Sequence, residues 1–193
     1  MDAPAKSLGE FDQARVQLIA ELREYALVIG DVTLTSGAKA SYYVDAKRAI
    51  LRRDGFLAVG AMVAGYARDW GASAVGGMTM GADPVACAAL AAGADVKAFF
   101  VRKATKSHGL QRRIEGPPLS DEDRCLVVED VVTTGGSTIA AIAALQEAGH
   151  EICGVVSVLD RLAGAGTAIE AAAGAPYVAL TTIDDVYPER DER

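Results

Sequence analysis

The amino-acid sequence predicts an α/β fold in which helices flank a central parallel sheet. Two observations support this prediction. Five short apolar segments lack the polar–apolar alternation of a strand with one solvated face, and helical patterns separate most of them. The predicted strands span residues 73–77, 96–101, 125–128, 152–159 and 177–181. Because ligands of such sheets bind beyond the carboxyl ends of the strands, we expect the functional residues in the turns that follow them.

The helices are predicted from apolar residues spaced three to four positions apart and from glycines that end them. They span residues 10–28, 53–70, 137–148 and 163–173, and residues 81–84 open a further alanine-rich helix. Residues 32–45 contain two β-type runs on either side of Ser36-Gly37, which favours a hairpin-like element. No linker divides the 193 residues, so we expect a single domain over residues 1–193.

Composition narrows the class of partner. Hydrophobic residues make up 51% of the chain and the formal net charge is −7. This charge argues against a nucleic-acid binder, which needs a basic surface, but not against a protein with a local basic cluster for an anionic small molecule.

The 3 cysteines include no C-x-x-C pair, which argues against a disulfide framework or a zinc site. Residues 1–10 lack a signal-peptide pattern and no apolar run could span a bilayer, so we expect a cytoplasmic protein without a membrane partner.

The most informative segment is Cys125-Leu-Val-Val-Glu-Asp-Val-Val-Thr-Thr-Gly-Gly-Ser-Thr138. An apolar strand ends at two carboxylates, Glu129 and Asp130, and a turn rich in threonine and glycine leads into a helix. Backbone N–H groups at such a turn, together with the helix N-terminus, bind anions. The carboxylates would repel a lone phosphate but can accept hydrogen bonds from sugar hydroxyls, so a ribose 5-phosphate fits both parts. The alternative is a strand-end acidic pair before an ordinary capped helix.

A long polar stretch at residues 103–123 contains Gly109, Gly116 and Pro117-Pro118. Loops of this length in a compact domain are usually functional or disordered, so we predict a mobile loop. It begins with the basic segment Arg102-Lys103-Ala-Thr-Lys106-Ser-His108-Gly109. One interpretation is a basic lid over a polyphosphate, and the other is a solvated charged loop.

Taken in chain order, these motifs resemble those of the type I phosphoribosyltransferases, and the basic segment resembles the catalytic loop of the orotate phosphoribosyltransferases in particular. The resemblance implies a type I fold with a small N-terminal hood, roughly residues 1–50, and a long flexible catalytic loop. It also implies that the chain binds phosphoribosyl pyrophosphate (PRPP). The implied PRPP-binding residues are Arg102, Lys103, Lys106, His108, Glu129, Asp130, Val131, Val132, Thr133, Thr134, Gly135, Gly136 and Ser137.

The same resemblance extends to the base. Residues 34–45 resemble the hood that covers the base, with Tyr42 and Tyr43 as the candidate aromatics. Asp160-Arg161 resembles the pair whose arginine holds orotate, and a guanidinium suits a pyrimidine that bears a carboxylate. By resemblance, Thr133 also contacts orotate.

Two positions depart from the family pattern. Many members have a lysine before the Ser-Gly of the hood, where this chain has Thr35. Many also have a lysine in the turn that binds pyrophosphate, where this chain has Thr79-Met80-Gly81. Both lysines contact PRPP in those members. Either Lys39, Lys47 or Arg48 compensates, or the affinity for PRPP differs.

The resemblance implies that orotate and PRPP give orotidine 5′-monophosphate and pyrophosphate, a step of de novo pyrimidine biosynthesis. It implies Mg²⁺ bound mainly through PRPP rather than by protein ligands, and a homodimer whose active site both subunits share. The expected catalytic residues are Asp130, which stabilises charge on the ribose, and Lys106 or His108, either of which could protonate the leaving group. The alternatives are a purine phosphoribosyltransferase and a non-enzymatic PRPP-sensing regulator. Arg161 and the loop with His108 argue against the first, and the absence of clear room for a nucleic-acid-binding element argues against the second.

Overall fold

Short helices and strands alternate through most of the structure, a computed structural model that describes residues 8–33, 39–103 and 113–190. In chain order the elements are α1 (Leu8–Glu21), a π-helical turn (Leu22–Ala26), β1 (Leu27–Thr33), β2 (Lys39–Val44), α2 (Lys47–Ile50), α3 (Arg53–Asp69), β3 (Ala74–Met78), α4 (Ala82–Ala91), β4 (Lys97–Val101), β5 (Ile114–Glu115), β6 (Arg124–Val132), α5 (Gly136–Glu147), β7 (Glu151–Asp160), α6 (Gly166–Ala173), β8 (Tyr177–Thr182) and α7 (Ile183–Val186). No helix within these ranges combines the length and apolar character needed to cross a membrane.

The larger sheet has the strand order β5-β4-β3-β6-β7-β8. All neighbours pair in parallel except the short edge strand β5, which runs antiparallel to β4. This confirms the predicted central parallel sheet. Strand β6 is longer than the predicted 125–128, because its register with β7 continues to Val132 and Asp160. Glu129 and Asp130 therefore lie within the strand, close to its carboxyl end.

Helices cover both faces of this sheet, which explains why its strands are apolar without alternation. Val127 points into a core shared with Ile142 of α5 and Ile169 of α6. The next residue, Val128, points into the opposite core with Met62 of α3 and Val85 of α4. Glu129 and Asp130 interrupt this apolar pattern near the carboxyl end of β6, before the apolar Val131 and Val132.

The N-terminal part forms a separate antiparallel pair, β1 with β2. This confirms the predicted hairpin-like element, although its Ser36-Gly37 turn lies outside the described residues. The predicted helix over residues 10–28 is too long, because Leu27 and Val28 pair with Val44 and Tyr43 as part of β1. Their apolar side chains suit both structures, and pairing with β2 decides between them.

Helices α3 and α4 pack closely because Gly60 of α3 has no side chain. A Cβ atom at Gly60 would overlap the carbonyl oxygen of Ala88 in α4. Gly65 of the same helix is different, since a Cβ atom there would lie no nearer than 4.0 Å to Arg68 Nη2. The two glycines therefore form a matched pair in one helix, one required by packing and one not.

We expect Gly60→Ala to lower the free energy of unfolding by about 1–3 kcal/mol, the usual cost of overpacking a core. Gly65→Ala should raise it by about 0.5–1 kcal/mol, because alanine loses less backbone entropy in a helix. Urea unfolding followed by circular dichroism measures both. Equal effects of the two substitutions would contradict the assigned contact with α4.

Candidate active site

Two carboxylates lie side by side near the carboxyl end of β6, the strand at the centre of the sheet. Glu129 is 5% exposed and Asp130 is 8% exposed. The hydroxyl of Thr138 in α5 donates a hydrogen bond to Glu129 Oε2 at 3.4 Å. The backbone N–H of Val131 donates to Asp130 Oδ1 at 2.9 Å. The helix that follows the strand and the strand itself thus hold the acidic pair in place.

Burial of Glu129 and the negative charge of Asp130 raise the pKa of Glu129 to about 8. Burial and the neighbouring carboxylate thus favour the protonated form of Glu129 in the absence of a ligand. A protonated carboxyl group can donate a hydrogen bond, whereas a carboxylate can only accept one. The pair can thus offer both a donor and an acceptor to the hydroxyl groups of a sugar.

The turn between β6 and α5 has the geometry expected of an anion site. Gly135 adopts a left-handed backbone conformation with a φ of 76° and packs beneath the turn against Ile169 of α6. Thr134, Gly136 and Ser137 are exposed. Helix α5 begins at Gly136, so its free N–H groups face the same surface. The predicted turn residues are brought together next to the acidic pair.

Val131 and Val132 belong to the strand rather than to this turn. Their backbones pair with β7, and the side chain of Val132 is buried in the core. The carbonyl oxygen of Val132 accepts a hydrogen bond from the N–H of Arg161 at 2.9 Å. Their structural contribution is to fix the distance between the turn and Arg161.

The turn after β3, residues 79–81, lies directly against the acidic pair. The peptide bond between Thr79 and Met80 is cis. A Cβ atom on Gly81 would overlap Asp130 Oδ1 and lie 2.8 Å from Glu129 Oε1. Any side chain at this position would therefore displace the two carboxylates. The neighbouring Met80 side chain is 74% exposed, so this turn presents a thioether to solvent where many members of the resembled family present a lysine.

The basic segment begins beside this turn. Thr79 N–H donates to the carbonyl oxygen of Val101, the last residue of β4, at 2.9 Å. Arg102 follows, and its guanidinium pairs with Glu115 of β5 at 3.3 Å. Lys103 is exposed. The predicted proton donors Lys106 and His108 lie outside the described residues.

A cleft of about 850 Å³ lies beside the turn that follows β7, the strand next to β6. Its lining residues come from the hood, the β7–α6 turn and the C-terminal segment: Tyr42, Arg161, Leu162, Ala163, Asp184, Pro188 and Arg190. The guanidinium carbon of Arg161 lies 4.8 Å from the centroid of the Tyr42 ring, a cation–π arrangement. Arg161 Nε is buried without a hydrogen-bond partner among the described residues. An aromatic face and a guanidinium with a free donor suit a planar anion.

The two predicted tyrosines face opposite ways. Successive side chains of a strand point to opposite faces, so Tyr42 and Tyr43 cannot both line one cleft. Tyr42 is buried, at 4% exposure, and packs edge-on against Tyr187 with ring centroids 5.6 Å apart. Tyr43 is half-exposed on the other face of the hood.

Asp160 holds the turn that carries Arg161. Its carboxylate accepts hydrogen bonds from the N–H of Leu162 at 2.7 Å and from the hydroxyl of Tyr177 at 2.8 Å. Burial raises the pKa of Tyr177, so the hydroxyl stays protonated and donates. Asp160 is therefore a positioning residue for the arginine beside it.

Sequence reasoning left the role of two structural contributors open. Lys47 was one of three candidate replacements for the absent lysines, and its amine reaches the acidic pair: Lys47 Nζ donates to Asp130 Oδ2 at 2.9 Å and pairs with Asp45 Oδ1 at 3.1 Å. Although partial burial lowers the pKa of Lys47, these two carboxylates raise it overall. The C-terminal segment contributes Asp184, Pro188 and Arg190 to the lining of the cleft, and its Tyr187 packs against Tyr42. No local pattern in the sequence indicates this.

Comparisons with known proteins agree with this geometry. The phosphoribosyl transferase domain family matches residues 57–171. The orotate phosphoribosyltransferase of Corynebacterium glutamicum is 49% identical over 175 residues, which cover 90% of this chain and 94% of that protein. The enzyme of the same name from Streptomyces avermitilis is 49% identical over 170 residues, which cover 86% and 93%.

Solved structures give the same result. The orotate phosphoribosyltransferase of Mycobacterium tuberculosis in complex with PRPP superposes with a TM-score of 0.77 at 40% identity, over 90% of this chain and 98% of that chain. The adenine phosphoribosyltransferase of Leishmania donovani superposes with a TM-score of 0.68 at 13% identity, over 89% and 82%. That last likeness is one of fold alone.

The raised pKa of Glu129 predicts a pH-dependent stability. Its ordinary value is 4.5 and its folded value about 8, so the folded state holds the extra proton between these pH values. Stability therefore falls as the pH rises through this window. Glu129→Gln cannot ionise, so its melting temperature should exceed that of the wild type increasingly from pH 5 to pH 8.5, by about 2–4 °C for each kcal/mol recovered.

Calorimetry in the absence of ligand measures this difference. Glu122→Gln, at an exposed position, is the matched control and should give the same difference from the wild type at every pH. A difference for Glu129→Gln that does not change with pH would mean that this carboxyl group titrates normally.

Proposed function

The chain belongs to the orotate phosphoribosyltransferases, and from this premise we propose how its residues carry out the transfer. The reaction joins orotate to the ribose 5-phosphate of PRPP and releases pyrophosphate, which yields orotidine 5′-monophosphate for pyrimidine biosynthesis. The observation that carries the residue assignment is the buried acidic pair of β6. The glycine turn before α5 follows it in the chain, and the cleft with Arg161 and Tyr42 lies beyond the end of the neighbouring strand β7.

We assign the 5-phosphate of PRPP to the turn between β6 and α5. The hydroxyls of Thr133, Thr134 and Ser137 and the backbone N–H groups from Gly135 onward would hold its oxygens. Glu129 and Asp130 would then hold the ribose hydroxyls. In the transition state the bond from C1 to the pyrophosphate oxygen breaks, its electron pair leaves with pyrophosphate, and positive charge develops on the ribose. The negative charge of Asp130 stabilises it.

Orotate would occupy the cleft between Tyr42 and Arg161. The unpartnered Nε of Arg161 supports this assignment, because a buried donor without a partner is costly until a ligand accepts from it. In this position a ring nitrogen of orotate would face C1 of the ribose, lose its N–H proton to solvent and form the new bond to C1. Thr133 lies between the base and the phosphate in this arrangement.

The basic segment would neutralise the leaving pyrophosphate. Arg102 and Lys103 stand at its start, and we propose that Lys106 or His108 supplies the proton. Mg²⁺ would be bound mainly through PRPP oxygens and would neutralise charge there. The residues fit such an ion, since the two carboxylates of β6 would border the ribose and its bound Mg²⁺.

We further propose a homodimer in which the basic segment of one subunit serves the neighbouring site, and a cytoplasmic location in which the three free cysteines stay reduced. A purine base is the weaker candidate, because a guanidinium facing an aromatic ring favours a base that carries a carboxylate.

Turnover of orotate is the first test. With Mg²⁺ and PRPP, the purified protein should consume orotate, seen as loss of its ultraviolet absorbance. Arg161→Gln should raise the KM for orotate about tenfold or more, because a hydrogen bond to a charged group contributes about 1.5–3 kcal/mol. The KM for PRPP should change less. Consumption of adenine, hypoxanthine or guanine but not orotate would overturn the assignment of the base.

Subunit mixing tests the shared site. Lys106→Ala and Asp130→Asn should each be nearly inactive as homodimers, because each lacks a different half of the site. If the basic segment acts across the dimer, a mixed dimer contains one intact site and regains activity. Mass spectrometry of the intact assembly provides the control that mixed dimers have formed. Mixed dimers without activity would place each segment in its own subunit.

A further inference from the structure

Lys47 joins the hood to the acidic pair. It is the first residue of helix α2, directly after the hood strand β2. Its amine donates to Asp130 Oδ2 at 2.9 Å and pairs with Asp45 Oδ1 at 3.1 Å. The side chain remains 37% exposed, so the amine is still open to the site. Within the described part of the chain, it is the cation bonded to the acidic pair.

The same carboxylate also faces the turn at residues 79–81. Asp130 Oδ1 lies beneath Gly81, and Asp130 Oδ2 accepts from Lys47. One carboxylate group therefore separates the Lys47 amine from a turn that carries an exposed methionine and no cation. A pyrophosphate group bound at this turn would lie near Asp130, and the two negative charges would repel each other without a cation between them.

We propose that Lys47 is a PRPP-positioning residue that bridges Asp130 and the pyrophosphate group, and that it supplies the cation absent from residues 79–81. An ammonium group has three N–H donors. Asp130 and Asp45 occupy two of them, and the third is directed to a pyrophosphate oxygen. The inference rests on the proposed function, because it requires PRPP with its ribose at the acidic pair.

Lys47 could contact pyrophosphate itself, or it could act only by holding Asp130 in place. Binding of two ligands distinguishes these two roles. PRPP carries the pyrophosphate group, whereas ribose 5-phosphate offers the same phosphate and ribose hydroxyls without it. Lys47→Met should weaken PRPP binding about tenfold or more, the effect of one lost charge-assisted hydrogen bond. It should weaken ribose 5-phosphate binding less than about threefold, since that ligand makes no contact with the missing amine. Isothermal titration calorimetry with Mg²⁺ measures both, and the KM for PRPP should rise more than kcat falls.

Matched variants complete the experiment. Lys47→Arg keeps the charge and should recover part of the PRPP affinity, which also controls for misfolding. Arg53→Met removes one positive charge from an exposed side chain nearby and should leave both affinities unchanged. Lys39→Met and Arg48→Met test the two rival cations and should leave PRPP affinity within about twofold.

Equal weakening of both ligands by Lys47→Met would reduce Lys47 to a support for Asp130 and overturn the proposal. An unchanged PRPP affinity, or a loss confined to Lys39→Met or Arg48→Met, would also overturn it. The proposed function fails separately, if the wild-type chain binds PRPP but does not consume orotate, and the Lys47 comparison can still be made. A wild-type chain that does not bind PRPP would overturn both.

Discussion

The burial of two adjacent carboxylates in the central strand is the constraint around which the rest of the site is built. Like charges this close are costly to ionise together, so the pKa of Glu129 is raised and Asp130 forms an ion pair with Lys47. Gly81 has no side chain because the carboxylates fill the space. Helix α5 contributes the Thr138 hydroxyl. The hood, the 79–81 turn and the helix after the strand are thus all positioned by one pair of side chains.

Local sequence predicted the parts of the site that are continuous in the chain. The apolar run ending at Glu129 and Asp130, and the glycines before α5, are local signals, and the parallel sheet follows from the same runs. The predicted end of β6 was too early, because pairing with β7 extends this strand beyond the apolar run at residues 125–128. Knowledge of the β2 register would have shown that only one of Tyr42 and Tyr43 can face the base cleft.

Local sequence patterns could not predict the contacts between segments that are distant in the chain. Lys47 and Asp130 are separated by 83 residues, and a lysine after a strand is ordinary in isolation. Tyr187 and Arg190 follow an acidic stretch that has no recognisable motif. Their roles arise from tertiary packing alone, in which the hood lies against the C-terminal segment. The candidate site therefore has one part encoded locally, the acidic pair and the glycine turn, and another part, the cleft with Arg161 and Tyr42, assembled from remote segments.

That assembly has a consequence for synthesis on the ribosome. Tyr42 of the hood packs against Tyr187, and Arg15 bonds Asp185 at 2.7 Å across 170 residues of sequence. The strands of the sheet can pair progressively as the chain emerges, since most neighbours follow one another closely. The cleft lined by Tyr42 cannot form until Arg190, which lines it too, has been translated. A nascent chain would therefore be able to form the glycine turn between β6 and α5 before this cleft, whose walls would stay apart until Arg190 had left the exit tunnel.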